Sequence, residues 1–312
     1  MNYLSEALGI KYPIIQGGMA QIATGKFAAA VSNAGALGLI GTGGFSSQQL
    51  REHIRDARER TTRPFGVNIL LLHPEVAEIA KIAAEERVAV ITTGAGDPGA
   101  YIPMWKDSGS LVFPVVAAAA LARRAERMGA DAVIAEGTES GGHVGETTTM
   151  ALIPAVAAAV NIPVIAAGGI ACGAQLLAAE ILGAAAAQLG TLFLVSEECP
   201  IHENYKNALL DARDGGTTVT GRASGAPVRI LKNRMARDYI KREREGASRD
   251  ELEAFTLGSL RRAVFDGDVN TGSLMAGQVS SQLSAIRPVS ELLETLLREY
   301  DEARARLVGS AV

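Results

Sequence analysis

The chain has 312 residues, of which 48% are hydrophobic and 4% aromatic, and its formal net charge is −4. This composition excludes a disordered chain, and the length suits one large α/β domain with an insertion. The acidic balance argues against binding of nucleic acid by the whole molecule. No basic, apolar leader is visible, and the longest apolar run, residues 111–122, is too short to span a bilayer. We therefore expect a cytoplasmic protein without a membrane partner.

The chain has two cysteines, Cys172 and Cys199, which form no Cys-x-x-Cys pair. Disulfide scaffolds and zinc sites need regularly spaced cysteines or histidines. The pattern predicts two free thiols in a reducing compartment, with no disulfide and no metal site.

Short apolar runs, many of them β-branched, recur along the first two thirds of the chain. They cover residues 13–16, 38–40, 65–70, 88–92, 111–116, 131–135, 163–167 and 186–190. Helical patterns such as residues 47–60 fill the gaps between them. Strands that alternate with helices pair in parallel through right-handed crossovers. Eight such units predict an α/β fold of the (β/α)8 TIM-barrel type, with a doubly wound open sheet as the alternative.

The strand–helix rhythm stops after Leu194. Residues 197–270 are polar and charged and show no strand-like apolar run, which predicts a mostly helical cap or insert domain. The barrel domain would then comprise residues 1–196 plus 271–312. From Ser290 onward, apolar residues share one face of a predicted helix that should pack on the outside of the barrel.

The last two predicted strands run into glycine-containing loops. These loops are Gly168-Gly169-Ile170 and Gly190-Thr191. In parallel barrels the chemistry lies at the carboxyl ends of the strands, and the loops after strands seven and eight often bind phosphate. Glycine lets backbone N–H groups approach a phosphate, and a helix N-terminus adds a favourable dipole. The pair predicts a phosphate-bearing ligand, with simple tight turns as the alternative.

Other catalytic patterns are weak or missing from the sequence. A Gly-x-Gly-x-x-Gly run covers residues 94–99, but the following strand lacks the acidic residue that a dinucleotide site needs. No predicted strand ends in a lysine for Schiff-base chemistry, and no Gly-x-Ser-x-Gly elbow occurs. Glu136 and Glu139 share one loop, which does not suit a glycosidase pair. These exclusions favour a cofactor that supplies the chemistry.

Several motifs together resemble one family. They are QGGMA (16–20), FGVNILLL (65–72), TTGAGDP (92–98), ADAVIAEGTESGGHVG (130–145), IPVIAAGGI (162–170) and GSLMAGQ (272–278). This set resembles the FabK-type enoyl-[acyl-carrier-protein] reductase II family. That family belongs to a group of flavin-dependent barrels that also contains the nitronate monooxygenases.

The resemblance implies an FMN-binding barrel in which NADH or NADPH is the reductant and a trans-2-enoyl thioester is the substrate. By the same resemblance, the phosphate of FMN would lie against Gly168, Gly169, Gly190 and Thr191. The isoalloxazine ring would contact Gly18, Met19, Ala20 and Asn68. Glu136 would lie near the ribityl chain or the ring, and Met275, Gly277 and Gln278 would close over the cofactor. Two positions depart from the family pattern: Cys172 replaces the usual Asp, and Ser140 a common Ala.

His143 matches the active-site histidine of that family and lies among the glycines 141, 142 and 145. After hydride reaches the β-carbon, the α-carbon must gain a proton, and a group that titrates near neutral pH suits this step. The histidine could instead donate a hydrogen bond to the thioester carbonyl. The sequence leaves both roles open. We expect His53 on a solvated helix face, His73 in a loop or cap, and His202 in the insert.

A basic segment, Arg222 to Arg244, lies within the acidic chain. It contains eight basic residues and two acidic ones. It could bind acyl-carrier protein or the phosphates of a substrate or reductant, and a solvated helix face is the alternative. Under the first interpretation, charge reversal at Arg234 and Arg237 raises the KM for the protein-bound substrate.

Three other functions compete with the enoyl reductase. A nitronate monooxygenase would use the same histidine as a base on a nitroalkane. A non-catalytic barrel could bind a phosphate ligand. A barrel similar to IMP dehydrogenase would need a nucleophilic cysteine, and no motif supports Cys199 in that role. We also expect a homodimer, formed through cap or barrel helices.

Overall fold

The computed structural model describes residues 2–309. Nine strands lie in its first two thirds, and all but the two-residue β7 build one parallel sheet. They are β1 (Ile14–Gln16), β2 (Gly38–Gly41), β3 (Phe65–Leu70), β4 (Val90–Gly94), β5 (Leu111–Val116), β6 (Val133–Glu136), β7 (Gly142–His143), β8 (Val164–Ala167) and β9 (Ala186–Leu189).

The parallel sheet closes on itself. Its strands follow the order β1-β9-β8-β6-β5-β4-β3-β2, and a parallel bridge between Ile15 and Leu37 joins its two ends. The prediction of an eight-stranded barrel is therefore confirmed, and the open-sheet alternative is wrong. All carboxyl ends of the barrel strands meet on one face, where barrel enzymes carry their chemistry.

Helices surround the barrel. They are α1 (Asn2–Leu8), α2 (Gly25–Asn33), α3 (Ser47–Arg60), α4 (Val76–Glu85), α5 (Ile102–Asp107), α6 (Ala119–Arg127), α7 (Thr149–Ala157), α8 (Gly173–Ile181) and α9 (Thr191–Leu194). In α3, the backbone N–H of Gln49 donates to the Ser46 hydroxyl, and the Gln49 side chain accepts from the Ser46 N–H. This capping box fixes the helix start, and the buried Leu50, Ile54 and Ala57 form its inward face.

The segment after the barrel strands contains helices and a hairpin. These elements are α10 (Glu203–Leu210), β10 (Thr217–Thr220), β11 (Val228–Leu231), α11 (Arg234–Arg244), α12 (Arg249–Thr256) and α13 (Ser259–Phe265). Residues 197–270 are therefore mostly helical, as expected, and they also contain a hairpin that no apolar run predicts. TTVT and VRIL are short and half polar, and β11 gains its partners from β10 and from β7 of a distant loop. Such tertiary pairing is invisible to local periodicity.

The insert has a small apolar core of its own. Ile230, Met235, Ala236, Tyr239 and Leu252 are buried together there. This core supports the division into residues 1–196 plus 271–312 and residues 197–270, whose boundaries stay a prediction.

The chain ends in helix α14 (Val289–Gly309), as its apolar pattern predicts. The Glu198 carboxylate accepts from the Val289 N–H, which satisfies a free donor at the helix start. Leu293 and Leu296 are buried, and the helix packs on α8 outside the barrel. No helix within residues 2–309 is long and apolar enough to cross a membrane.

Candidate active site

The loop after β8 packs directly against the loop after β6. Gly168 and Gly169 have φ angles of +89° and +74°, which side chains of L-residues rarely allow. A Cβ atom on Gly168 would lie 2.8 Å from the carbonyl oxygen of Gly137 and 3.2 Å from the Ser140 nitrogen. Glycine is therefore required here both for the turn and for the close approach of the two loops.

The segment around Gly277 joins the ends of two barrel strands. The Gly277 N–H donates to the Thr191 hydroxyl at 2.9 Å, and the Gln278 N–H donates to the Glu139 carbonyl at 2.9 Å. Residues predicted from three separate stretches therefore meet at the same end of the barrel. Gly190 begins α9, and a Cβ built on it would meet Met19 Sδ at 3.9 Å and no other atom of the described residues within 4 Å. This leaves open space beside the backbone there.

After β1, the barrel strand that pairs with β9, Gly18 lies against Asn68 of β3. A Cβ on Gly18 would overlap the Asn68 side chain, at 2.1 Å from its Cβ. The Asn68 amide nitrogen donates to the Thr92 hydroxyl at 2.7 Å, which leaves the amide oxygen as an acceptor for a ligand. Sequence reasoning missed Thr92, although it belongs to the quoted TTGAGDP motif and pairs in register with Asn68.

One polar atom near these glycines fits a missing ligand. Gln188 Oε1 on β9 is buried without a hydrogen-bond partner among the described residues. Gln188 lies beside Gly17, whose Cβ position is 3.8 Å from Gln188 Cγ. Buried polar atoms normally have partners, so this one indicates an absent polar group. Together with the glycine loops it fits FMN, which combines a flat polar ring with a phosphate.

The histidine loop, residues 137–143, follows β6 and ends in β7. Gly141 packs against the segment around Gly277 so closely that a Cβ on Gly141 would lie 2.7 Å from the backbone of Ala276. Gly142 has a φ of +78°, and the strand then pairs with β11 so that His143 lies opposite Val228. The His143 side chain is exposed at the mouth, yet the protein around it partly removes water and lowers the pKa of His143. The neutral imidazole is therefore favoured at neutral pH.

Glu136 ends β6 below the histidine loop. Burial raises the pKa of Glu136 to about 7, and the Ser140 hydroxyl acts in the opposite direction. A carboxyl group in this range titrates near physiological pH, which is unusual and typical of functional sites.

We expect Glu136→Gln to change the pH dependence of stability in the flavin-free protein. The native pKa lies above the unfolded one, so the wild-type free energy of unfolding falls as pH rises from about 4.5 to about 7. The substitution removes this loss. Its effect on the free energy of unfolding should therefore be more favourable at pH 8 than at pH 5, by about 1–3 kcal/mol. Urea unfolding at both pH values measures the difference. The same effect of the substitution at both pH values would contradict the raised pKa.

The Glu139 side chain ties the histidine loop to the start of α7. Its carboxylate accepts from the Thr149 N–H at 2.9 Å and from the Thr149 hydroxyl at 3.0 Å, and so caps α7. The Thr149 hydroxyl also lies 2.8 Å from the Gly168 carbonyl oxygen. Sequence reasoning weighed Glu139 only as half of a glycosidase pair and missed this structural role.

The other three histidines do not join His143. His53 is partly buried against Phe45, with ring centroids 4.4 Å apart, so the expectation of a solvated helix face is wrong. Phe45 covers part of the His53 ring and keeps water away from it. The charged residues around His53 in the sequence do not predict this contact. His73 accepts from the Glu75 N–H before α4, and His202 caps α10 by accepting from the Asn204 N–H.

The remaining sequence candidates lie apart from this chemistry. The glycine run after β4 forms a loop in which Asp97 pairs with Arg124, and the next helix begins only at Ile102. Cys172 and Cys199 are free thiols, and burial raises the pKa of Cys199 to about 12. Within residues 2–309 no cluster of three or more histidine, cysteine or acidic side chains could hold a metal.

A closed parallel barrel with glycine loops, an orphaned amide oxygen and an exposed histidine at the carboxyl ends of its strands has the layout of a barrel enzyme. The family model described as "Nitronate monooxygenase" matches residues 1–87 and 79–299. The chain belongs to this family of oxidoreductases. The FabK structure from Thermotoga maritima is 46% identical, superimposes with a TM-score of 0.96 and covers 98% of each chain. The resemblance to the FabK-type reductases is therefore confirmed.

Two further relatives mark how wide the family is. The nitroalkane oxidase of Streptomyces ansochromogenes is 30% identical with a TM-score of 0.86, over 97% of this chain and 99% of its own. A Mycobacterium tuberculosis enzyme named as a hydroxy-methyl-oxo-octahydroindene carboxyl-CoA dehydrogenase is 30% identical over 94% of both chains. The chain is more similar to FabK than to either.

Proposed function

We propose that this protein is an FMN-dependent enoyl-[acyl-carrier-protein] reductase that uses NADH or NADPH to reduce trans-2-enoyl thioesters. The observation that carries the proposal is the 46% identity to FabK over the full chain, combined with an exposed histidine at the barrel mouth. A second relative is named for a coenzyme A thioester, which supports thioester chemistry on this barrel.

The residues that would hold FMN fall into two groups. Gly168, Gly169, Gly190 and Thr191 would bind the phosphate, since two of the glycines have positive φ and Gly190 opens a short helix. Gly18, Met19, Ala20 and Asn68 would contact the ring, Glu136 would lie beside it, and Met275, Gly277 and Gln278 would close the site. Bound FMN would supply the hydride-transfer chemistry between the nicotinamide and the substrate.

His143 would act on the substrate. Reduction of the double bond adds a hydride at the β-carbon and a proton at the α-carbon, with negative charge passing to the thioester oxygen between them. The lowered pKa of His143 favours a neutral imidazole, whose N–H can donate to that oxygen as charge develops. The same ring would pass a proton from solvent to the α-carbon, a role that the exposure of its side chain supports.

Nitronate oxidation is the second candidate, favoured by the family model and by the nitroalkane oxidase relative. The two functions separate in one pair of assays. NADH or NADPH oxidation with crotonyl thioester measures the first, and oxygen uptake with a nitronate measures the second. We expect activity in the first assay. Activity in the second alone would replace the proposal.

Helix α11 offers the surface for the carrier protein. Arg237, Ile240, Lys241 and Arg244 share one face at helical spacing and, together with Glu245, line a shallow groove. Arg234 forms a salt bridge with Asp238, with Nε and Oδ2 3.6 Å apart. Lys241 forms one with Glu245, with Nζ and Oε1 3.8 Å apart. Among the described residues no carboxylate forms a salt bridge with Arg237 or Arg244. An acidic carrier protein would therefore meet these two arginines around a partly exposed isoleucine.

We expect Arg237→Glu combined with Arg244→Glu to raise the KM for an enoyl-carrier protein by about tenfold, because charges at the rim of an interface steer association. The KM for an enoyl-pantetheine substrate should not change. The matched control is Arg123→Glu with Arg127→Glu, two exposed arginines on α6 of the outer ring. Equal effects on both substrates, or a similar effect of the control, would remove α11 as the docking surface.

The proposal includes a cytoplasmic location and a homodimer. Light scattering of the purified protein measures the oligomeric state directly.

A further inference from the structure

Arg229 is a charged side chain that the proposed chemistry does not use. It lies on β11 and is 5% exposed. Burial, followed by the charge of Arg222, lowers the pKa of Arg229, while Glu139 acts to raise it. No salt bridge links Arg229 to a carboxylate within residues 2–309. A buried guanidinium without an ion-pair partner is costly, so its presence calls for a specific role.

The guanidinium holds two acceptors that come from different parts of the chain. Its Nε donates to the Thr138 carbonyl oxygen at 3.0 Å, and its Nη1 donates to the Thr217 hydroxyl at 3.0 Å. Thr138 belongs to the histidine loop, and Thr217 lies on β10 of the insert. A planar fork of five donors can hold two such partners at once in a fixed relative orientation.

The same residue pairs through its backbone with the histidine loop. Arg229 lies opposite Gly142 and Val228 opposite His143, and the Val144 N–H donates to the Pro227 carbonyl oxygen. The barrel holds the other side of the loop at Glu139, whose carboxylate accepts from the Thr149 N–H of α7 and whose carbonyl accepts from the Gln278 N–H. The insert therefore completes the support of a loop that has three glycines and little rigidity of its own.

We propose that Arg229 is a positioning residue that ties the insert to the histidine loop and thereby orients His143 for the reduction step. The proposal rests on the reductase function for its kinetic effects only. The insert is then part of the active site and not merely a cover over it, since His143 sits on a strand that the insert completes. A displacement of about 1 Å at a reacting group can slow a reaction by two orders of magnitude.

Two substitutions test this role. Arg229→Gln removes the fork, and Thr217→Val removes one of its two acceptors with little change of volume. Thr218→Val is the matched control, because neighbouring strand residues point to opposite faces and Thr218 lies away from this fork. We expect kcat for the enoyl thioester to fall by about tenfold or more in Arg229→Gln, and by about twofold to fivefold in Thr217→Val. The rate of flavin reduction by NADH or NADPH should change less than twofold in both.

Hydrogen exchange of residues 138–144 provides a readout that does not depend on activity. Exchange should be faster in both variants than in the wild type and the control, with the midpoint of urea unfolding unchanged in Thr217→Val. If Arg229→Gln does not fold, Thr217→Val alone decides the matter. Unchanged exchange and unchanged kcat in Thr217→Val, or an equal loss of both half-reactions, would overturn the positioning role. Altered exchange in a protein that never reduces enoyl thioesters would retain the loop anchor and reject the reductase.

Discussion

His143→Ala should lower kcat for enoyl-thioester reduction by about 100-fold or more, the usual contribution of an acid–base or charge-stabilising group. FMN should stay bound, because the glycine loops after β8 and β9 lie on other strands. Its reduction by NADH or NADPH should also continue. Flavin absorbance and stopped-flow rates of the two half-reactions measure these outcomes separately.

The role of the histidine can be separated with a second substitution. His143→Gln keeps a hydrogen-bond donor but cannot exchange a proton, so it should retain part of the activity if the imidazole only stabilises the carbonyl oxygen. His73→Ala is the control, since His73 lies in the loop before α4 and accepts from the Glu75 N–H. A His143→Ala protein with wild-type kcat would remove this residue from the chemistry.

Gly168→Ala should weaken FMN binding by about tenfold to 100-fold, since strain of about 1–3 kcal/mol is added and 1.4 kcal/mol corresponds to tenfold in Kd. The added Cβ would lie 2.8 Å from the carbonyl oxygen of Gly137 at a φ of +89°. The loop must move to relieve this contact, and the N–H groups that would face the phosphate move with it. Titration of the flavin-free protein with FMN gives the Kd.

Gly109→Ala is an unusually close control for this substitution. Gly109 has the same φ of +89°, but a Cβ there would meet no atom of the described residues within 4 Å. Both variants therefore place a Cβ at the same unfavourable φ, and only Gly168→Ala adds the clash at the site. If Gly168→Ala binds FMN as tightly as Gly109→Ala does, the loop after β8 is not the phosphate site.

The barrel could be predicted because each strand is a short apolar run followed by a local helical pattern. The boundaries of α3 follow from its apolar spacing and its capping pair, and the structure places it at Ser47–Arg60 as expected. The hairpin of the insert could not be predicted in this way. VRIL becomes a strand because β7 and β10 pair with it, and both partners are set by the tertiary fold.

The residues of the candidate site also fall into those that the sequence predicts and those whose roles depend on tertiary contacts. Gly168, Gly190 and His143 could be proposed from the sequence, because they follow the ends of predicted strands and lie where the chain resembles the FabK-type family. Thr92, Glu139 and Arg229 do not, since their roles depend on what lies across the barrel mouth. Thr92 orients an asparagine, Glu139 caps a helix, and Arg229 links the histidine loop to β10. Each is an ordinary residue type in its local sequence and gains its function from a neighbour more than nine positions away.

The most direct test of the reductase proposal is one anaerobic mixing experiment. The FMN-loaded protein is reduced with one equivalent of NADH or NADPH and then mixed with crotonyl thioester, while flavin absorbance is followed. The account predicts that the thioester restores the oxidised spectrum and yields the saturated product in equal amount. A flavin that stays reduced with the thioester, in a protein that takes up oxygen with a nitronate, would contradict it.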